Sequence, residues 1–236
     1  MSEYPLALVT GANRGLGLEF TQQLLRRAYR VVATCRSPES ATQLRRIRQS
    51  FPKQLEILTL EVDNADDRKS LYAYFRQMHS VIDLLINNAG IAHWDTIKEL
   101  SEDRIIESIR VNALSPLVIT REMLPFLERS RNARVAMITS RVGSMELTKD
   151  NGFKGFAYPI SKAAMNMAGV QLAQALAPRK VSVFMQSPGW VKTDMGGPNA
   201  TSSVSESVRN MLDIFEKVTP KQTGCFFSET GDLLPW

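Results

Sequence analysis

The sequence predicts an α/β protein: one parallel, doubly wound sheet with helices on both faces. Three observations predict it: short β-branched apolar runs, longer amphipathic stretches between them, and their regular alternation with short connections. The first run, Leu6-Ala7-Leu8-Val9, has no polar residue, which suits a strand buried on both faces. The same pattern places strands at 6–10, 30–35, 56–61, 84–87, 134–139, 181–186 and 224–227, making the sheet seven-stranded. Helices are expected at 16–27, 39–49, 66–79, 102–127, 158–177 and 205–216. Neither a Gly/Pro/Ser linker nor an internal repeat divides the chain, so residues 1–236 read as a single domain. A chain of 236 residues, 44% hydrophobic and 22% charged, can bury a full core, which excludes disordered, collagen-like and coiled-coil classes.

Charge and composition exclude several functions. A balance of 29 basic against 24 acidic side chains gives +5, and the only dense basic run, Arg45, Arg46 and Arg48, lies on an expected helix. That reads as a solvated face and not as a nucleic-acid patch. Cys35 and Cys225 stand far apart, with no metal-like or redox-like spacing, which suits a reducing, cytoplasmic setting. With only His79 and His93, a three-histidine zinc site is impossible, and no metal is expected. A serine hydrolase would have to use one of those two, and nothing assigns either a base role. No basic segment followed by an apolar one opens the chain, so no signal peptide is expected. The longest uncharged run, 163–178, is shorter than the ~20 residues of a membrane span.

Three constellations carry chemistry. Directly after the first strand stands Thr10-Gly11-Ala12-Asn13-Arg14-Gly15-Leu16-Gly17. Glycines there let the backbone turn sharply and approach a phosphate, while a helix starting near Gly15 aims unpaired N–H groups at an anion. The second strand ends in Thr34-Cys35-Arg36-Ser37, where a site for NAD would usually place a carboxylate for the ribose 2′-hydroxyl. Arg36, with Arg14 in the glycine loop, would instead grip a 2′-phosphate, so NADPH is favoured over NADH. Nearby Glu39 is the feature that weighs against it, and both arginines pointing to water is the plainer alternative. The third is Tyr158-Pro159-Ile160-Ser161-Lys162. At i and i+4 the phenol and the ammonium share one helix face, and the charge is expected to pull the phenol down from its usual ~10.

In order and position, these residues resemble the short-chain dehydrogenase/reductase family over nearly the whole chain, in its single-domain form. Thr10–Gly17 resembles its cofactor loop, and Asn87-Asn88-Ala89-Gly90 its fourth-strand motif. Pro188-Gly189-Trp190-Val191-Lys192-Thr193 resembles its nicotinamide-side loop. The ending from Gly224 to Trp236 is similar to that of the C-factor-like and Sniffer-like carbonyl reductase branch. The resemblance implies a Rossmann fold and NADPH-dependent reduction of an aldehyde or ketone, with Asn112, Ser140, Tyr158 and Lys162 as the catalytic set. Tyr158 would protonate the substrate oxygen, Ser140 would position it, and Lys162 would hold the ribose hydroxyls. Asn112, inside a long helix, would extend a proton relay where the helical ladder is interrupted. Gly11, Asn13, Arg14, Gly15, Leu16 and Gly17 would bind the cofactor phosphates, with Arg36 at the 2′-phosphate. Asp63 and Asn64 would hold the adenine, with Glu61 as a competing register. Asn88, Ala89 and Gly90 would line the adenosine ribose. Val191 and Thr193, beyond the Pro188-Gly189 turn, would meet the carboxamide.

Some positions stay open at this point. Ser140 to Tyr158 is longer than the spacing the family usually shows, so a loop insertion at 144–156, with Gly152 and Gly155, is expected and Ser144 is the second serine candidate. His93, Trp94, Met145, Phe153, Trp190 and 195–204 are candidate walls for a hydrophobic carbonyl compound, though Met and aromatic residues often serve only as core. A substrate lid is expected at 195–217. The resemblance further implies a homodimer or homotetramer through the two helices containing Asn112 and Tyr158, where Ala163, Ala164, Ala168 and Gly169 permit close packing. The rival reading is a catalytically weak NADP(H)-binding signalling or regulatory protein.

Overall fold

The computed structural model describes residues 4–151 and 155–236. Its strands are β1 (Leu6–Val9), β2 (Arg30–Cys35), β3 (Leu55–Thr59), β4 (Leu84–Asn87), β5 (Ala133–Ile138), β6 (Val181–Gln186) and β7 (Phe226–Phe227). They form one seven-stranded sheet in the order β3-β2-β1-β4-β5-β6-β7. Every pairing is parallel. The helices are α1 (Gly15–Arg26), α2 (Thr42–Ser50), α3 (Ala65–Gln77), α4 (Glu102–Ile109), α5 (Ser115–Leu127), α6 (Met145–Asn151), α7 (Ala157–Leu176) and α8 (Val204–Lys217). Among the described residues no helix is long and apolar enough to cross a membrane.

The apolar run of β1 is explained by two cores. Leu6 and Leu8 face one, shared with Phe75 of α3, Phe126 of α5 and Met165 of α7. Ala7 and Val9 face the other, shared with Phe20 and Leu24 of α1, Leu44 of α2 and Phe215 of α8. Alternate residues of a strand point to opposite faces, so a sheet covered on both sides needs every residue apolar. The order reverses between β1 and β4, which opens a crevice at the carboxyl ends of those strands.

Three expectations are corrected here. The stretch 102–127 is not one α-helix: a π-helical segment, Arg110–Leu114, separates α4 from α5. Pro116 has no N–H for the Asn112 carbonyl in the α register, and Ser115 Oγ caps the Arg110 carbonyl at 2.8 Å. The stretch expected as a loop insertion contains α6, whose first turn is capped by Ser144 Oγ accepting from Leu147 N–H at 3.1 Å. Gly152 and Phe153 lie outside the described residues. Finally, α8 cannot belong to a lid. Val208, Met211, Leu212 and Phe215 are buried at 0–1% exposure, and each such side chain is worth roughly 1.5–3 kcal/mol. Lifting all of them would cost about as much as a whole domain's stability, so any movable part is confined to 195–203.

Candidate active site

The crevice is a cavity of about 790 Å³. On one side stands the glycine loop. Gly11 and Gly15 take positive φ, 66° and 54°, and α1 begins at Gly15 with no side-chain cap and no acidic residue in its first turn. Its free N–H groups and positive dipole end are thereby left for an anion. The loop is locked to the end of β4: Thr10 Oγ accepts from Asn88 and Ala89 N–H, both at 3.0 Å. Asn88 Nδ2 donates back to the Thr10 and Gly11 carbonyls at 2.9 and 3.2 Å.

Most of the expected cofactor residues line this one cavity. Gly11, Asn13, Arg14, Gly15 and Leu16 do so from the glycine loop, and Asn88, Ala89 and Gly90 from the end of β4. Pro188, Gly189, Val191 and Thr193 follow β6; Arg36 and Asp63 close the far end. Glu61 lines it too, so both adenine-end registers stay available, whereas Glu39 does not. Arg36 is exposed and makes no ion pair among the described residues. Arg14 is paired with Asp194 at 2.6 Å, both side chains being largely exposed. Thr193 Oγ accepts from Gly196 N–H at 3.1 Å, which fixes the turn that carries it and does not cap a helix.

Three expected residues are not on the wall. Gly17 lies beneath it, because a Cβ there would collide with the Gly11 carbonyl and sit 2.6 Å from Asn88 Nδ2. Asn64 is occupied elsewhere: its Oδ1 caps α3, accepting from Asp66 and Asp67 N–H at 2.8 and 3.2 Å. Asn112 is fully buried behind the cavity. Its amide exchanges two hydrogen bonds with the Ile91 backbone, at 2.9 and 2.8 Å, and donates to Ser161 Oγ at 2.9 Å. Both its side-chain N–H groups are thus spent on bracing the loop after β4 against α7.

At the cavity floor Tyr158 and Lys162 are 8% and 4% exposed. Ser140, just beyond β5, lines the same cavity as Tyr158, while Ser144 lies off it as the cap of α6. Burial pushes the phenol up to about 12, and the Ser140 hydroxyl pulls the other way. The same burial brings Lys162 down to about 7. This reverses the expected lowering of the phenol by a neighbouring ammonium. Lys162 Nζ donates to the Ile138 carbonyl at 2.8 Å and stands 5.6 Å from the Tyr158 ring centroid. Desolvation dominates at both groups.

Trp94, Trp190 and Met195, three of the expected substrate walls, line the same cavity. The rings of Trp94 and Tyr158 meet at 5.0 Å between centroids, and Trp190 Nε1 donates to the Gly196 carbonyl at 2.8 Å. Met145 is 70% exposed and not on the wall; His93 is off it too, paired with Glu107 at 3.0 Å. Glu107, Val111 and Arg141 also line the cavity, although no motif marks them in the sequence. Arg141 follows Ser140 directly, but its partner Glu229, at 3.0 Å, comes from beyond β7 and leaves no local signal.

Comparison with known proteins agrees with this geometry. A model of the short chain dehydrogenase family matches residues 5–203. The C-signal of Myxococcus xanthus is 40% identical over 156 residues, 66% of this chain and 93% of that protein. A carbonyl reductase from chicken fatty liver, solved with NADPH bound, has a TM-score of 0.94 at 33% identity and covers 100% of both chains. The carbonyl reductase Sniffer of D. melanogaster has a TM-score of 0.94 at 28% identity, covering 99% of this chain and 100% of that one. The family match takes in the glycine loop, six of the strands and the whole cavity floor, and the chain belongs to the short chain dehydrogenase family.

Proposed function

We propose that this chain is an NADPH-dependent carbonyl reductase in which Tyr158 gives its proton to the substrate oxygen. One observation carries the reading: a buried phenol shares a cavity with Ser140 and the uncapped N-terminus of α1. The residues fit a dinucleotide with a 2′-phosphate. The helix end takes the pyrophosphate, and Arg36 offers an unpaired guanidinium at the second strand's end. An exposed pair such as Arg14–Asp194 is worth at most about 1 kcal/mol, so a phosphate dianion can take Arg14 from it. The relatives point the same way, since the chicken reductase was solved with NADPH.

When bound, the nicotinamide supplies hydride to the carbonyl carbon. The protein does the rest. A phenol held near 12 is protonated throughout the neutral range, which is the state that reduction needs. Ser140 positions the oxygen that receives the proton. Lys162, charged below about 7, offers its N–H groups to ribose hydroxyls. Reprotonation of Tyr158 through Asn112 would have to use that residue's carbonyl, because its amide is already committed. The aromatic wall favours a hydrophobic aldehyde or ketone. We also propose a cytoplasmic site, which suits two unpaired cysteines, and a homodimer through α4, the π-helical segment, α5 and α7, where Ile106, Leu114, Ile160 and Met167 are exposed. Sedimentation equilibrium at micromolar concentration should show the dimer, and a lone monomer would refute it.

The deciding experiment is a screen of aldehydes, ketones and diketones, followed at the nicotinamide absorbance with NADPH and NADH in parallel. Turnover with a clear preference for NADPH is expected, whereas equal or better catalysis with NADH would remove the 2′-phosphate assignment. Likeness to a protein called a signal gives the rival reading its footing: tight NADPH binding without turnover of any carbonyl would favour it. A pH dependence follows as well. Because protonation gives Lys162 its charge and a third N–H, which strengthen its hold on ribose, kcat/KM for NADPH should fall as pH rises through about 7. Lys162→Arg should flatten that limb, since guanidinium stays charged. A profile flat from pH 6 to pH 9 in the native enzyme would contradict the role given to Lys162.

A further inference from the structure

We propose that Asp95 is a positioning residue for Tyr158, reaching from the loop after β4 to hold the first turn of α7. The proposal rests on the reductase reading for what that position is worth, but its geometry stands alone. Tyr158 is the second residue of α7, in the turn whose N–H groups lack intrahelical partners and where helices fray. The N-cap position is Phe156, which offers no side-chain acceptor, and the first turn has no acidic residue. The acceptor comes from far away in sequence: Asp95 Oδ1 receives Ala157 N–H at 3.2 Å and Phe156 N–H at 3.4 Å.

A second contact fastens the same two segments. The Trp94 ring lies tilted against the Tyr158 ring, 5.0 Å between centroids. Gly155, at φ +100°, lets the backbone of residue 94 approach closely; a Cβ there would stand 3.2 Å from Trp94 Cε3. The other end of the loop is anchored too, by the paired Ile91–Asn112 bonds and by His93 on Glu107. Residues 91–95 therefore form a strap from the π-helical segment to the turn that carries Tyr158.

The origin of the acceptor, 62 positions away in sequence, argues for position as well as stability. Asp95 is 1% exposed, and its Oδ2 has no hydrogen-bond partner among the described residues. A helix needing only a cap can take Ser, Thr or Asp at its own N-cap, at the surface, without desolvating a carboxylate. Burial acts to raise the Asp95 pKa, but the N–H groups of Ala157, Asp95 itself and Phe156 outweigh it and hold the carboxyl below its ordinary range. The group stays ionised at the positive end of α7.

The test uses Asp95→Ala and Asp95→Asn in the full chain, well below the unfolding temperature. It measures kcat and KM for NADPH, and amide hydrogen exchange along α7. Asp95→Ala should lower kcat roughly ten- to a hundredfold, the cost of a misplacement of about 1 Å, while KM for NADPH stays nearly constant. Exchange should quicken in 156–162 and hold in 168–176. Asp95→Asn, which keeps an acceptor oxygen, should recover most of kcat. An unchanged kcat with faster exchange in the first turn would reduce Asp95 to a cap and overturn the proposal. Unchanged exchange at 156–162, or a loss spread over all of α7, would overturn it as well. If the native enzyme turns over no carbonyl, the reductase reading has failed by its own test, and the exchange pattern alone then decides whether Asp95 holds this turn.

Discussion

Tyr158→Phe should lower kcat for carbonyl reduction by roughly 10²- to 10⁴-fold while leaving NADPH affinity nearly unchanged. The substitution removes one oxygen from a ring otherwise held by packing against Trp94 and by its place on α7. No other phenol replaces it, since none of the remaining tyrosines lines the cavity. Because burial holds the phenol near 12, what is lost is a proton donor and not a charge, so the deficit should persist across the neutral range. Ser140→Ala should follow with a smaller loss, by removing the serine hydroxyl that lines the cavity with Tyr158. Ser144→Ala should keep near-native kcat and lose only helix-cap stability, about 1 kcal/mol. A Ser144 variant that fell as far as Ser140→Ala would move the assignment between them. Steady-state kinetics on the three variants, each checked for NADPH binding by fluorescence titration, measures the series.

Gly17→Val should abolish NADPH binding, raising Kd by about 100-fold or more, equivalent to at least about 2.7 kcal/mol. Even one Cβ at this position would overlap the Gly11 carbonyl oxygen and come within 2.6 Å of Asn88 Nδ2. The Asn88 amide is no idle neighbour, for it ties β4 to the glycine loop through the Thr10 and Gly11 carbonyls. Relief of the clash has to push α1 off that loop and misdirect the helix end aimed at the phosphates. Circular dichroism separates a misplaced helix from a failed fold. Binding within about twofold of native would show that the packing beneath the loop is not what builds the anion site.

Residues near one another in sequence made the sheet legible. The strands coincide with largely apolar runs, since a sheet covered on both faces buries both sides of its central strands, whereas the edge strand β3 carries Glu56 and is the least buried. The Tyr158–Lys162 pair and the glycine loop were legible for the same reason, each being local. The interruption at Arg110–Leu114 had its signal in Pro116, which takes an N–H from the helix ladder. Likewise Ser144 before Met145-Glu146-Leu147 spelled a helix start that the glycines further on obscured. Spacing could not reveal what depends on distant contacts. The fall of Lys162 toward 7 is a burial effect, and Asn64 turned away from the cavity to cap α3. Asp95 and Glu229 meet their partners across 62 and 88 positions. Nor did the amphipathic face of α8 show that it packs on the sheet and not over the substrate, because a lid helix and a core helix carry the same pattern.

The most direct test is hydride delivery itself. NADPH carrying deuterium on the transferable C4 position should be incubated with the enzyme and an aldehyde or ketone, and the product alcohol examined by mass spectrometry and NMR. One deuterium on the carbinol carbon, with formation suppressed in Tyr158→Phe, is the expected result. Tight cofactor binding with no deuterated alcohol from any carbonyl class, or undiminished transfer in the Phe variant, would contradict it.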